Sequence, residues 1–338
     1  MSLTFLDFFS GVGGFRRGME MVGHTCLGHC EIDKYANMSY KEIHEPKEGE
    51  WFGTDIRKTN ADELPRADVW CFGFPCQDIS VAGKQLGFRG QRSSLFFTVT
   101  RLIRDKKEED RPKYLFIENV KNLLSVNGGS DFLKLLIELD EVGYDAEWQV
   151  LNSKNFGVPQ NRERVFIIGH LRGRSGRKVF PIYGETEGTT KRFQGDVSGK
   201  GYNSQQDRVY LESGIMNCIP AARTESKVKV LVSACLTPDI INKKQNGRRF
   251  KENGEPMYTL TSQDRHGILI RNATSKGYLE AFPGYRIRKL TPKECWRLQG
   301  WNDEDFEKAA KVCSETQLYK QAGNGVTVNV IYEIAKKF

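Results

Sequence analysis

Four short segments of this 338-residue chain carry side chains that can do chemistry together. The first is Gly73-Phe74-Pro75-Cys76-Gln77, where a thiol follows the apolar run Val69 to Phe72. A thiol at a strand end entering a helix feels the positive end of the helix dipole, which favours the nucleophilic thiolate. Taken alone, Cys76 reads as a buried packing residue. The second is Glu118-Asn119-Val120, which ends the run Tyr114 to Ile117. A carboxyl there is either an acid kept protonated by burial or a strand-end salt-bridge partner. The third, Pro159-Gln160-Asn161-Arg162-Glu163-Arg164, sets two guanidiniums at i and i+2, suited to a phosphate or a base carbonyl oxygen. Taken alone, it is an ordinary charged turn. The fourth is Ser10-Gly11-Val12-Gly13-Gly14, where glycines let backbone approach a ligand at a helix N-terminus. Its spacing departs from the G-x-G-x-x-G dinucleotide fingerprint, so an NAD oxidoreductase is poorly supported. Glu31, at the end of the next apolar run, can hold ribose hydroxyls, and Asp55, after Gly53-Thr54, can accept from an adenine amino group. Each carboxylate alone reads as a cap or a solvated loop residue. With the turn, they point to a nucleoside-type cofactor.

These groups need elements to position them. Leu3 to Phe9, His24 to Glu31, Val69 to Phe72, Tyr114 to Ile117 and Val165 to Ile168 read as strands, with helical spacing after the glycine turn and over Asp131 to Leu139. Strands alternating with helices predict an α/β fold with a parallel, doubly wound sheet, whose sites gather beyond the carboxyl ends of the strands. The singled-out residues fall at such ends. Residues 173–285 change character, being rich in Gly, Ser, Asn, Lys and Arg with short β-like pieces. A faint echo links Arg208-Val209-Tyr210-Leu211-Glu212-Ser213-Gly214 to Arg249-Phe250-Lys251-Glu252-Asn253-Gly254, as two hairpin-like units would. From Leu290 the α/β pattern returns. Thr291-Pro292-Lys293-Glu294 has the cap, proline and glutamate of a helix start, and Ala322-Gly323-Asn324-Gly325-Val326 precedes a last apolar helix. The expected organisation is a core at 1–172, a mostly β and irregular module at 173–285, and a segment at 286–338 returning to the core.

Composition narrows the classes. A net charge of +8 favours a polyanionic partner, although such an excess also occurs on proteins that bind nothing acidic. The eight cysteines form no CxxC pair and no zinc-finger spacing with histidine, so no metal is expected. Met1 to Leu6 has no basic n-region or long apolar stretch, and no run approaches the roughly 20 apolar residues of a membrane span. The chain reads as cytoplasmic, with reduced thiols.

The ordered set Phe9-Ser10-Gly11-Val12-Gly13-Gly14, Gly73-Phe74-Pro75-Cys76-Gln77, Glu118-Asn119-Val120, Gln160-Asn161-Arg162-Glu163-Arg164 and Gly323-Asn324 closely resembles the cytosine-C5 DNA methyltransferase family of bacterial or phage type. The resemblance covers nearly the whole chain except residues 173–285. It implies a Rossmann-like core that uses S-adenosylmethionine and releases S-adenosylhomocysteine. Phe9, Gly11, Val12, Gly13 and Pro75 would line the cofactor site, with Glu31 on the ribose, Ile32 and Ile56 against the adenine, and Asp55 at its amino group. Asn324 and Val326 would close the pocket near the amino-acid end. Ile32 stands where the family often has a tryptophan.

The resemblance also implies a mechanism. Cys76 would add to C6 of a cytosine rotated out of double-stranded DNA, Glu118 would contact N3 and the exocyclic amine, and Arg164 would hold O2. Arg162 would support the catalytic loop or a phosphate. Ser80 to Ser93 is similar to the family's mobile loop, with Gln77 and Ser80 as candidate DNA contacts. Residues 173–285 fit a target-recognition domain, with Arg248 and Arg249 on phosphates and Thr259-Leu260 near the recognition loops. A monomer is expected, with a separately acting restriction endonuclease as an optional partner. Two other readings remain open: an RNA methyltransferase, disfavoured by the long insert, and an inactive binding homologue, disfavoured because Cys76, Glu118 and Arg164 are all present.

Overall fold

In the computed structural model of the protein, the described residues are 2–74, 95–174, 176, 178–184, 195–196, 208–211, 230–231, 233–236, 250–251, 255–261, 266–271 and 285–338. Seven strands form the main sheet: β1 (Thr4–Phe8), β2 (Thr25–Cys30), β3 (Trp51–Gly53), β4 (Val69–Gly73), β5 (Tyr114–Val120), β6 (Tyr144–Asn152) and β7 (Glu163–Leu171), in the order β3-β2-β1-β4-β5-β7-β6. The first five in that order are parallel. The last two correct the expectation of a parallel sheet, because β7 runs antiparallel to both β5 and β6. Only residues 153–162 join β6 to β7, too few for the crossover that parallel neighbours need. The sheet is therefore mixed, on an α/β Rossmann-like plan.

Both faces of the sheet are covered, and the strands show why. Along β4, Trp70 and Phe72 point to one core, while Val69 and Cys71 point to the other. The first core packs against α3 (Leu95–Asp105) through Phe96, Val99, Leu102 and Ile103, and against α4 (Ser130–Glu141) through Leu135 and Leu139. The second packs against α1 (Gly14–Glu20) through Phe15 and Met19, and against α8 (Val328–Ala335) through Val330, Ile331 and Ile334. The helices α1 and α8 meet at glycines. A methyl group added at Gly14 would lie 2.7 Å from Val326 Cγ2, and one at Gly18 would lie 2.6 Å from Ile331 Cγ2.

The helix starts follow local chemistry. Asp33 caps α2 (Lys34–His44) by accepting from the backbone N–H of Tyr35 and Ala36. Thr291 and Glu294 form the reciprocal capping box that the sequence predicts at α5 (Pro292–Leu298). Helices α6 (Asp303–Ala310) and α7 (Glu315–Asn324) follow, and α7 leads into α8.

Within residues 173–285 the described elements are strands: β8 (Gly195–Asp196), β9 (Arg208–Leu211), β10 (Val230–Leu231), β11 (Ser233–Leu236) and β12 (His266–Arg271), joined by β13 (Tyr285–Lys289). They form two three-stranded sheets, β10-β9-β8 and β11-β12-β13. One half of the proposed echo is β9, while in the other half Phe250 bridges Cys235 and Arg249 lies outside the described residues. Ala234, Met257, Leu260 and Ile268 share a third core with Val12, Trp296 and Trp301. Among the described residues, no helix is long and apolar enough to cross a membrane.

Candidate active site

The carboxyl ends of the five parallel strands open into one cleft of about 500 Å³. Phe9, Gly11 and Val12 come from the end of β1, Glu31 and Ile32 from β2, Asp55 and Ile56 from β3, Gly73 and Phe74 from β4, and Glu118 and Val120 from β5. The antiparallel β7 enters the same end with its first residues and brings Arg164, while Arg162 stands just before it. Helix α7 closes the wall with Gln317, Lys320, Gln321 and Asn324.

The glycine turn is held in an unusual backbone form. Phe9, Gly11 and Gly13 all have positive φ, at 53°, 56° and 86°. Glu31 braces it, one carboxylate oxygen accepting from Gly11 N at 2.8 Å and the other from Asp33 N at 2.7 Å. Burial pushes the Glu31 carboxyl up, against the pull of those backbone donors. Asp55 is gripped by Arg57, Nε to Oδ1 at 2.9 Å and Nη2 to Oδ2 at 2.7 Å, which holds its carboxyl below the usual range.

Two expected cofactor contacts are not on the cleft wall. Gly13 is buried, and a methyl group there would lie 2.2 Å from His44 Nε2, so its role is close packing. Val326 packs against Gly14, behind the turn. Pro75, Cys76, Gln77, Ser80, Arg248 and Arg249 lie outside the described residues.

At the other end of the cleft, Arg164 Nε is 3.0 Å from Glu118 Oε1, in an ion pair that is mostly buried. Gly73 leaves room for it, since a methyl group there would sit 3.1 Å from Glu118 Oε2. Asn119 donates from Nδ2 to the Phe74 carbonyl at 3.2 Å, tying β5 to the residue just before Pro75. Arg162, expected to support the catalytic loop or a phosphate, lines the cleft and is held by backbone carbonyls. It is 3% exposed, and its guanidinium donates to the carbonyls of Leu260 at 2.9 Å and Gly325 at 2.8 Å. Those bonds join the segment around Leu260 to the loop after α7. Thr259 and Leu260 belong to the same joint: Thr259 Oγ1 donates to Asn161 O at 2.6 Å, and buried Leu260 donates from its N–H to Gln160 Oε1 at 3.0 Å.

Several lining residues escape a sequence reading. Lys320 Nζ is 2.5 Å from Asp33 Oδ2, clasping α7 to the start of α2 across the cleft rim. Gln317, Lys320, Gln321 and Asn324 recur at i, i+3, i+4 and i+7, one face of a helix. Given Asn324, that spacing is the signal that finds the other three. Among the described residues, no group of three or more His, Cys, Asp or Glu side chains is placed to hold a metal ion.

The family model for C-5 cytosine-specific DNA methylase matches residues 3–338. The chain belongs to that family. Among its relatives, the orphan methyltransferase M.SPBetaI of Bacillus phage SPbeta is 33% identical, over 98% of this chain and 96% of that protein. The type II methyltransferase M.HhaI of Haemophilus parahaemolyticus is 33% identical, over 98% and 93%. The solved structure of the S. pombe Dnmt2 methyltransferase superposes with a TM-score of 0.65 at 19% identity, covering 98% of this chain and 97% of that one, a likeness of fold. In this methylase the match takes in the glycine turn, the Glu118–Arg164 pair and the returning α7 alike.

Proposed function

We propose that this methylase transfers a methyl group from S-adenosylmethionine to C5 of a cytosine flipped out of a short specific sequence in duplex DNA. The observation that carries the reading is a nucleoside-sized cleft with the Glu118–Arg164 pair at one end and Glu31 and Asp55 at the other. The residues fit the cofactor. Gly11 has nothing within 4 Å of an added methyl group, so backbone faces open space beside Glu31 for a ribose, and Ile32, 66% exposed, offers an uncovered apolar surface for an adenine. Bound there, the cofactor supplies an electrophilic methyl group.

The chain's own groups act on the base. Cys76 as thiolate adds to C6, which makes C5 electron-rich enough to be methylated. Glu118 contacts N3 and the exocyclic amine and stabilises the ring as the adduct forms, while Arg164 fixes Glu118 and reaches O2. The C5 proton then leaves to a base, and Cys76 is expelled, so the thiol never carries the methyl group. Arg162 supports this arrangement from behind by joining Leu260 to Gly325. In the same reading, residues 173–285 are the target-recognition domain, with Arg248, Arg249 and Thr259 near the DNA. The enzyme works as a monomer in the cytoplasm of a bacterium or phage-infected cell, alone or beside a restriction endonuclease.

The test is trapping. Duplex DNA carrying 5-fluorocytosine, incubated with protein and S-adenosylmethionine, should yield a covalent complex that Cys76→Ser does not form. No complex on any mixed-sequence DNA would sink the reading. Bisulfite sequencing of DNA from a methylation-free host expressing the chain then reads out the target.

A further inference from the structure

A histidine outside every motif named so far anchors the glycine turn. His44, the last residue of α2, has a side chain 1% exposed, and its Nε2 lies 3.0 Å from the carbonyl oxygen of Val12, a cleft-lining residue. A carbonyl only accepts, so Nε2 carries the hydrogen and Nδ1 is left without one in the neutral ring. Glu20 Oε2 stands 3.9 Å from Nδ1, and the rings of Tyr40 and Trp301 pack at 4.6 Å and 6.2 Å between centroids. Burial, helped by Arg16, Arg17 and His29, pushes the ring's pKa down to about 3, so it stays neutral across working pH. The ring and the turn are matched in shape as well, because any side chain at Gly13 would strike His44.

The turn needs holding. Phe9 is a non-glycine residue at φ 53°, a strained conformation that persists only when neighbours impose it. Besides its backbone bonds, from Gly13 N–H to Ser10 O within the turn and from Ser10 N–H to Cys30 O on β2, the turn is braced by two side chains, Glu31 on Gly11 N and His44 on Val12 O. On the function proposed above, Glu31 also serves the ribose, so its grip on Gly11 competes with ligand. His44 has no such second duty.

We infer that His44 is a positioning residue for the cofactor site: as the neutral Nε2–H tautomer it donates to the Val12 carbonyl and keeps the Gly11–Gly13 turn in its ligand-ready form.

The test compares His44→Gln, which keeps an N–H donor of similar reach, with His44→Met, which matches glutamine in length but donates nothing. Melting temperature without ligand and S-adenosylhomocysteine affinity by calorimetry are both read. Both variants should lose stability to a similar extent. Affinity should fall about tenfold or more in His44→Met and stay within about threefold of wild type in His44→Gln, with tenfold being the loss of one modest hydrogen bond. Equal affinities in the two variants would overturn the inference. If wild type binds no S-adenosylhomocysteine, the proposed function fails instead. Should neither variant fold, nitrogen-15 spectra of the wild-type imidazole decide: a fixed Nε2–H tautomer supports the inference, and an Nδ1–H tautomer or titration near the ordinary histidine range overturns it.

Discussion

Arg164 Nε sits 3.0 Å from Glu118 Oε1, and the two side chains come from strands that run in opposite directions. The antiparallel β7 makes this contact: its first residues lie at the same sheet end as the last residues of β5, where Val120 is directly opposite Arg164. A parallel strand would have brought its carboxyl end instead. The pair fixes the Glu118 carboxylate at the cleft wall from the Arg164 side; on the proposed function, its remaining acceptor positions serve the base.

Glu118→Gln keeps the shape but gives up both the ion pair and the charge offered to the base. We expect kcat to fall by about 10²–10³, the usual effect of losing one preorganised electrostatic group. S-adenosylhomocysteine affinity should stay close to wild type. Single-turnover methylation beside calorimetry checks the split, and equal losses in both would mean that Glu118 serves the fold rather than the base.

The Asp33–Lys320 clasp predicts a smaller and different effect. Its side chains are 29% and 45% exposed, so solvent screens the pair and its worth is at most about 1 kcal/mol. Lys320→Met should therefore raise the KM for S-adenosylmethionine by no more than about fivefold and leave kcat unchanged. Steady-state kinetics at saturating DNA distinguish this from a Lys320 that contacts the reacting groups, which would lower kcat.

Asp7, on β1 beneath the glycine turn, gives a pH prediction. It is fully buried, and burial pushes its carboxyl up to about 8, against the Arg16 backbone N–H and guanidinium. Between the unfolded value near 3.9 and about 8, the native state holds a proton that the unfolded state has lost. This group's contribution to stability is thus fully present below about pH 4 and declines as pH rises, at up to about 1.4 kcal/mol per unit. Asp7→Asn should remove that slope, so its advantage over wild type grows between about pH 5 and about pH 8 and then levels off. Urea denaturation across that range tests it, and parallel curves for the two proteins would refute it.

Much of the site was legible because its residues sit where a strand stops, and strands are visible as apolar runs. Glu31, Asp55, Glu118 and the glycine turn were found that way, and the three carboxylates line the cleft with Phe9, Gly11 and Val12 of the turn. The capping box at Thr291 was readable because it is complete within four residues. Strand direction was not readable, since side-chain alternation is the same in parallel and antiparallel neighbours. Edge strand β6 was hidden by its composition, with Asp145, Glu147 and Gln149 interleaved among apolar residues. The roles of Arg162 and His44 rest on contacts to carbonyls that are distant along the chain, and no local pattern announces those.

The glycines at 14 and 18 leave α1 with a groove into which the residues around Val326 and Ile331 pack. On a ribosome adding roughly 5–20 residues each second, the first helix therefore waits something like 15–60 s for its partner. Over that interval the nascent chain carries a bare second core, with Phe15 and Met19 uncovered by Ile331 and Ile334. The methylase is thus a late folder by topology. Co-expression of residues 1–300 with a separate 301–338 fragment would show whether that final closure can be supplied in trans.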